Sequence, residues 1–246
     1  MNVAYVQAGE DGSPYSVNGS VAARGFEVLG YAVRFFQPAD LPGLPLGPGA
    51  VVVGGMGTVR AALEQAGVHP PSHESAPAVL RPFLGRESWR TTPQEVRDAG
   101  RFPVFVKPYE QAKAFTGQVV ADAAGLDLLL RPRADFPVMA QDFPLLAQEP
   151  VVFLSEWRVF VVRGAAVGVS HYQGDALLFP AAGVIRLALG AYRPAPAGYS
   201  MDFGVADDGR TLLIETNDGY SLGHGGLVST LYAELLRARW QEMTGA

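Results

Sequence analysis

The feature that most constrains the fold is an Asp208-Gly209 pair between two runs of alternating apolar residues. Such a pair is a strong signal for a β-hairpin with a two-residue loop, since both residues of the favoured turn need a positive φ. With this loop, Asp202 lies directly opposite Glu215, and directly opposed residues share one face of a sheet. Asn217 follows two residues after Glu215 and therefore points to the same face.

The hairpin thus gathers two carboxylates and one amide on a single patch. Carboxylates that oppose each other destabilise a sheet unless a cation compensates for them. Carboxylate and amide oxygens suit Mg²⁺, and Mg²⁺ commonly binds together with phosphates. We therefore predict a metal site at Asp202, Glu215 and Asn217. The alternative is an ordinary solvated hairpin face.

Length and composition narrow the class of protein. The chain has 246 residues, of which 48% are hydrophobic, so we expect one large or two small globular domains. The net charge of −5 argues against duplex nucleic acid as a partner. The absence of cysteine excludes thiolate catalysis and Cys-ligated zinc. No apolar run reaches the ~20 residues that cross a bilayer, and no signal peptide is recognisable, so we expect a cytoplasmic protein without a membrane partner.

Lysine is confined to one segment of the chain. Only two of the 19 basic residues are lysines, Lys107 at the end of an expected strand and Lys113 in the loop that follows. Lysine is a compact point charge on a flexible stem, and two of them around a loop can bind nucleotide phosphates. The phosphate-binding motif GxxxxGK[ST] is absent. Alone, a lysine at a strand end is more often solvated.

A second hairpin is predicted around Arg163-Gly164. With these two residues as the loop, Glu156 lies opposite His171 and Arg158 lies opposite Val169. Alternation then places Glu156, Arg158 and His171 on one face. An exposed ion pair is the simpler interpretation of this arrangement when it is considered alone.

The remaining chain gives a coarser pattern. The first 66 residues alternate between strand and helix patterns, which predicts a small parallel α/β unit. A proline-rich segment near residues 70–93 indicates a boundary. Residues 184–189 are a candidate strand, and residues 227–243 are amphipathic and predict a helix.

Three segments together resemble the ATP-grasp superfamily, most closely a clade of predicted ATP-dependent carboxylate-amine ligases. They are FPVFVKPYEQAKAFTG, LLAQEPVVFLSEWRVFVV and MDFGVADDGRTLLIETNDGYSLG, in this order. The resemblance spans residues 102–227, and its most specific element is Glu-x-Asn with an upstream Asp.

The resemblance implies a fold and a division into domains. It implies a mixed α/β (α+β) ATP-grasp fold in which two subdomains flank the nucleotide. A small N-terminal α/β domain would occupy residues 1–90, and the ATP-grasp domain residues 91–246. Within the latter, residues 91–147 would form the lid subdomain and residues 148–246 the metal-binding subdomain.

The resemblance also assigns roles to residues that bind the nucleotide. Lys107 would contact the α- and β-phosphates, and Lys113 would lie in the lid loop above the phosphates. The backbone from Gln148 through Glu149 to Val151 would form the hinge that meets adenine. Either Glu149 or Glu156 would bind the ribose.

Further roles concern catalysis and the acceptor. Arg158 would hold the γ-phosphate or the acyl phosphate, and Lys113 would act with it. The resemblance assigns one or two Mg²⁺ ions to the three predicted metal ligands. Residues 218–226 would form part of the acceptor site, with His224 as a participant.

The function implied is ATP- and Mg²⁺-dependent ligation of a carboxylate to an amine through an acyl phosphate. The substrates would be small molecules, peptides or protein tails. A kinase-like phosphoryl transfer and a non-catalytic nucleotide-binding module are the alternatives. A homodimer is one compatible assembly.

Overall fold

The computed structural model describes residues 2–70, 75–109, 115–131 and 141–245. In these ranges the strands form three sheets, one parallel and two antiparallel. This is the mixed α/β architecture expected from the sequence. Lys113 lies outside the described residues.

The N-terminal sheet is parallel and has the strand order β2-β1-β3. Its strands are β1 (Val3–Gln7), β2 (Ala32–Phe36) and β3 (Ala50–Val53); helix α1 (Val17–Val28) connects β1 to β2, and helix α2 (Met56–Gln65) follows β3. Every side chain of β3 is buried, as expected for an apolar run of Ala and Val in a parallel sheet. The predicted α/β unit is therefore present.

The second sheet, which we call the lid sheet, has the order β4-β7-β5-β6. Its strands are β4 (Ser88–Thr91), β5 (Val104–Pro108), β6 (Gln118–Val120) and β7 (Leu145–Gln148), and its helices are α3 (Pro93–Ala99) and α4 (Ala123–Leu129). α3 begins with a capping box between Thr92 and Glu95, where each residue binds the backbone N–H of the other. Both predicted domain boundaries fall inside strands of this sheet, β4 and β7, and the division into domains stays a prediction.

The third sheet, which we call the C-terminal sheet, has the order β11-β10-β8-β9. Its strands are β8 (Phe153–Val162), β9 (Ala165–Gly174), β10 (Gly198–Ala206) and β11 (Thr211–Asp218). One face packs on helix α5 (Ala182–Ala191) and on a 3-10 helix, Ala78–Phe83. The opposite face carries the candidate site.

The strand predicted at residues 184–189 is wrong, because this segment is helix α5. Ile185, Ala188 and Leu189 pack together against the C-terminal sheet. Their spacing is the helical one, whereas the β-branched pair of Val184 and Ile185 suggested a strand. The hydrophobic period was therefore a better guide than residue propensity.

Helix α6 (Ser229–Thr244) connects the C-terminal sheet to the N-terminal one. Its side chains Tyr232, Leu235 and Trp240 belong to the same buried cluster as α1 and the parallel strands. The two helices approach so closely at Gly25 that a Cβ atom there would overlap the backbone of Ser229. Within the described ranges, every helix is too short or too polar to cross a lipid bilayer.

Candidate active site

The hairpin of β10 and β11 places Asp202 opposite Glu215, which confirms the predicted pair. The predicted two-residue loop is wrong, however. Ala206 donates its N–H to the carbonyl of Arg210 at 2.8 Å, so three residues, 207–209, form the loop. Gly209 closes it with a φ of 82°, a value that favours glycine.

A β-bulge at Ile214 restores the register at the site. On the loop side of the bulge, Phe203 pairs with Leu213, and on the far side Asp202 pairs with Glu215. Ile214 is thus the extra residue of β11. The loop has one residue more than predicted, and the bulge adds one residue to β11. Together they give the same pairing at Asp202 as the predicted hairpin.

Arg86 contacts the bulge and the lid sheet at the same time. Its guanidinium donates to the carbonyl oxygens of Leu213 at 2.9 Å and Ile214 at 3.1 Å. It also donates to Oε1 of Gln148 at 3.1 Å. Burial lowers the pKa of Arg86 to about 10, so the side chain remains charged at neutral pH. Sequence reasoning missed this residue, because it belongs to no motif and is one of many arginines.

Asp202 forms the buried centre of the site. Its side chain is 2% exposed and accepts two hydrogen bonds from Arg158, at 2.8 and 2.6 Å. Burial raises the pKa of the Asp202 carboxyl, and the hydrogen bonds from Arg158 oppose this rise. Asn217 donates its Nδ2 to the same carboxylate at 3.3 Å. Arg158 and Asn217 therefore both contact Asp202.

Lys107 reaches the site from the lid sheet. Its Nζ lies 2.7 Å from Oε2 of Glu215, and both side chains are partly exposed. This ion pair connects β5 of one sheet to β11 of the other. The structure thus brings one cation from each sheet, Lys107 and Arg158, against the two predicted metal-binding carboxylates.

The predicted register of the second hairpin is wrong beyond its turn. Val162 pairs with Ala165, so the Arg163-Gly164 loop is confirmed. One register shift, between Phe160 and Val161, places His171 opposite Trp157 and not opposite Glu156, and a second shift follows beyond His171. Because a shift of one residue exchanges the faces of a strand, His171 leaves the face that carries Arg158.

Tyr172 takes the position that sequence reasoning gave to His171. Its hydroxyl donates to Oε2 of Glu156 at 2.7 Å, and the guanidinium carbon of Arg158 lies 5.8 Å from the centre of its ring. His171 instead packs edge-on against Trp157, with 5.0 Å between ring centres. The hydrophobic alternation of β9 gave no signal for the bulge that causes this exchange.

The residues predicted to bind adenine and ribose occupy different environments. Gln148 is 4% exposed and holds Arg86 and Ser88 with its side chain. Glu149 is exposed, and its carboxylate accepts a hydrogen bond from the backbone N–H of Glu87 at 2.8 Å. Val151 is half-buried between β7 and β8. Of the two glutamates, only Glu156 shares the face of Arg158.

The segment after β11 is attached at both of its ends. Asp218 forms an ion pair of 2.6 Å with Arg239 of helix α6. The backbone N–H of His224 donates to Oδ1 of Asn18 in the N-terminal unit at 3.0 Å. Residues 218–226 therefore run from β11 to the start of α1. This path brings the predicted acceptor segment beside the N-terminal sheet.

The donor set can be compared with what Mg²⁺ requires. In the part of the chain that the structure describes, no group of three or more His, Asp or Glu side chains is arranged to hold a metal. The predicted set has two carboxylates and an amide, and Mg²⁺ usually binds one or two carboxylates and keeps several waters. The present residues fit such an ion, provided that Arg158 and Lys107 release some carboxylate oxygens to it.

Comparison with protein families identifies one match. The model of the ATP-grasp domain, R-2-K clade family 2, matches residues 83–235. These residues include the lid sheet and the C-terminal sheet. No curated protein sequence matches the chain.

Several solved structures share the fold. A RimK domain protein of the ATP-grasp type from Sphaerobacter thermophilus is 18% identical, with a TM-score of 0.57, and the match covers 96% of this chain and 100% of that one. A D-alanine-D-alanine ligase from Bacillus anthracis is 16% identical, with a TM-score of 0.61, covering 99% and 97%. The ATP-grasp ligase PsnB with its precursor peptide PsnA2 and AMPPNP is 14% identical, with a TM-score of 0.56, covering 97% of each chain. At these identities the likeness shows the fold.

Proposed function

The chain belongs to the ATP-grasp domain family, family 2 of the R-2-K clade, and on that premise we propose that it is an ATP- and Mg²⁺-dependent ligase that joins a carboxylate to an amine. One observation carries the proposal. Lys107 and Arg158, from two different sheets, meet the carboxylates of Glu215 and Asp202 at 2.7 and 2.6 Å. Paired charges of this kind can be redistributed when an anionic nucleotide and a divalent cation arrive together.

In this proposal Lys107 binds the α- and β-phosphates, and Lys113 approaches them from the lid loop. The backbone of residues 148–151 meets adenine. We assign the ribose to Glu156, because its carboxylate lies on the face of Arg158 and is oriented by Tyr172. Glu149 is less suitable, since its carboxylate is already bound to the backbone of Glu87.

Asp202, Glu215 and Asn217 are the residues that hold Mg²⁺ in this proposal. When bound, the ion supplies positive charge that offsets the repulsion between the phosphates and an approaching carboxylate. With Asp202 and Glu215 turned towards the ion, Arg158 and Lys107 would be free to contact phosphate oxygens. The two cations would thereby exchange one anionic partner for another.

The chemistry then proceeds in two steps. The substrate carboxylate attacks the γ-phosphorus, ADP leaves, and the product is an acyl phosphate. Arg158 stabilises the charge on the transferred group. An amine next attacks the acyl carbon, phosphate leaves with the bonding pair, and the amine loses a proton. In this proposal residues 218–226 receive the amine, and we assign His224 to the same acceptor site.

The substrate classes are amino acids, peptides and protein tails that carry a free carboxylate or amine. A cytoplasmic location is part of the proposal, because ATP and Mg²⁺ are available there. A homodimer also remains a proposal, and light scattering of the purified protein tests it.

The test measures ADP release with panels of carboxylates, each with and without amines. Ligation predicts ADP and an amide when both substrates are present. A phosphorylated product that accumulates and is stable without amine would indicate a kinase, and nucleotide binding without turnover across the panel would indicate a binding module. Either result contradicts the proposal.

A variant tests the metal assignment separately. Glu215→Gln removes one carboxylate and keeps the side-chain shape. We expect turnover to require a higher Mg²⁺ concentration than in the wild type. Wild-type turnover of this variant at limiting Mg²⁺ would show that the assignment is wrong.

A further inference from the structure

Ser200 is a buried polar residue that the proposed function does not use. It is 0% exposed, and its Oγ has no hydrogen-bond partner within the described ranges. Leaving a buried hydroxyl unpaired costs about 1–3 kcal/mol. A hydrogen bond from a neighbouring side chain would remove this cost.

The register identifies that partner. Ser200 pairs directly with Asn217 on β11 and with Phe160 on β8. Directly opposed residues have Cβ atoms about 4.5–5.5 Å apart and share a face. Phe160 has no polar atom in its side chain. Asn217 is therefore the cross-strand neighbour of Ser200 that can bond to its hydroxyl.

The amide nitrogen of Asn217 would need a different hydrogen-bond acceptor if the amide oxygen bound a metal. Here this Nδ2 donates to Asp202 at the long distance of 3.3 Å. If Asp202 and Asn217 hold a metal ion, each would turn an oxygen towards it. The amide nitrogen of Asn217 would then lose the Asp202 carboxylate as its acceptor and would require another one.

We infer that Ser200 is a positioning residue for the metal, whose Oγ accepts a hydrogen bond from Nδ2 of Asn217 when the amide oxygen of Asn217 binds Mg²⁺. This inference rests on the proposed function. In this role Ser200 does not contact the metal itself, and it fixes the orientation of the Asn217 amide, with the oxygen towards the metal and the nitrogen away from it. Residues that orient metal ligands in this way commonly change metal affinity by about 10–100-fold when they are removed.

The experiment measures binding of Mn²⁺ as the probe, by electron paramagnetic resonance of the free ion in the presence of ADP. We expect Ser200→Ala to weaken Mn²⁺ binding roughly tenfold, with unchanged ADP affinity in the absence of metal. Tyr199→Phe is the matched control. The Tyr199 hydroxyl is also buried and unpaired within the described ranges, but it lies on the opposite face of the same strand. We expect this control to bind Mn²⁺ like the wild type.

The same Ser200→Ala substitution in an Asn217→Asp variant tests whether Ser200 acts through the amide nitrogen of Asn217. In Asn217→Asp the metal-binding oxygen is kept and the N–H group is lost. Ser200→Ala should therefore have no further effect on Mn²⁺ affinity in that background. An equal loss in both backgrounds, or no loss in either, would overturn the role of Ser200. If the wild type itself binds no Mn²⁺ with ADP, the metal site of the proposed function fails as well.

Discussion

The two hairpins of the C-terminal sheet differ in what their turns determine. In β8–β9 the predicted Arg163-Gly164 turn is correct, yet the register at the site is wrong. In β10–β11 the predicted turn is wrong, yet Asp202 does pair with Glu215. Bulges between the turn and the site cause both outcomes. A turn therefore fixes the pairing of its neighbours, and the bulges decide the pairing further along.

The contacts at the two hairpins explain why their bulges affect the register at the candidate site differently. The bulge at Ile214 is held by Arg86, whose guanidinium binds the carbonyls of Leu213 and Ile214. The shifts of β9 lie on an edge strand with one neighbour. They re-aim Tyr172 towards Glu156 and Arg158. The bulge at Ile214 thus preserves the pairing of Asp202 with Glu215, whereas the shifts of β9 replace His171 by its neighbour Tyr172.

The largest effect is expected at the ion pair between Arg158 and Asp202, which joins the two hairpins. Arg158→Met leaves the Asp202 carboxylate buried without its cation. We expect the free energy of unfolding to fall by about 3 kcal/mol, the lower end for a broken buried pair, because the Arg158 side chain is 25% exposed. Urea denaturation measures this loss. Replacing both partners, with Arg158→Met and Asp202→Leu, should recover most of it, and a loss as large in the double variant would contradict the explanation.

The second prediction breaks the contact that holds the Ile214 bulge. Arg86→Met leaves buried carbonyls without donors, so we expect a loss of about 2 kcal/mol and a higher Mg²⁺ requirement for turnover. Arg86→Lys should recover only part, because one ammonium cannot reproduce the planar fork. Arg210→Met is the control, since Arg210 is exposed and binds Asp208 in the turn, and it should change stability little. An unchanged Mg²⁺ requirement in Arg86→Met would contradict the prediction that the bulge affects Mg²⁺ binding.

The third prediction compares the two turns. Gly164 and Gly209 have φ values of 81° and 82°. Alanine at either position should cost about 1 kcal/mol, because an L-residue is strained there. Neither variant should change the Mg²⁺ requirement, since the bulges set the register at the site. A shift of that requirement in Gly209→Ala would show that the turn does control the site.

The smallest effect is expected on β9. Tyr172→Phe removes one hydrogen bond from a half-exposed residue, so we expect a stability change of about 0.5 kcal/mol. If Glu156 binds ribose, the KM for ATP should rise while kcat stays constant. His171→Gln provides the comparison, because His171 lies on the other face and should leave the KM unchanged. Equal KM values in both variants would count against the ribose assignment.

The sequence predicted those parts of the fold that depend on local patterns. Alternation and turn residues located both hairpins, the parallel unit and α6. The resemblance to the ATP-grasp superfamily predicted one common site for Lys107, Arg158, Asp202 and Glu215, and in the structure Lys107 pairs with Glu215 and Arg158 with Asp202. In each case the information lies in short-range periodicity or in a motif.

The missed features depend on contacts between distant segments. Arg86 is separated from Ile214 by 128 residues of the chain, and no residue near it marks its role. Tyr172 enters the site only through a bulge on an edge strand. The helix α5 was missed for a different reason, because the adjacent Val184 and Ile185 outweighed the helical spacing of its buried face.

The close packing of α6 against α1 has a consequence for synthesis. Phe26 of α1 is fully buried in the cluster that Tyr232, Leu235 and Trp240 of α6 complete. A ribosome makes α1 some two hundred residues before α6. During that interval the side of α1 that α6 covers lacks its native partner, although N-terminal units often fold first. We therefore expect the nascent protein to expose an apolar surface until α6 has been translated.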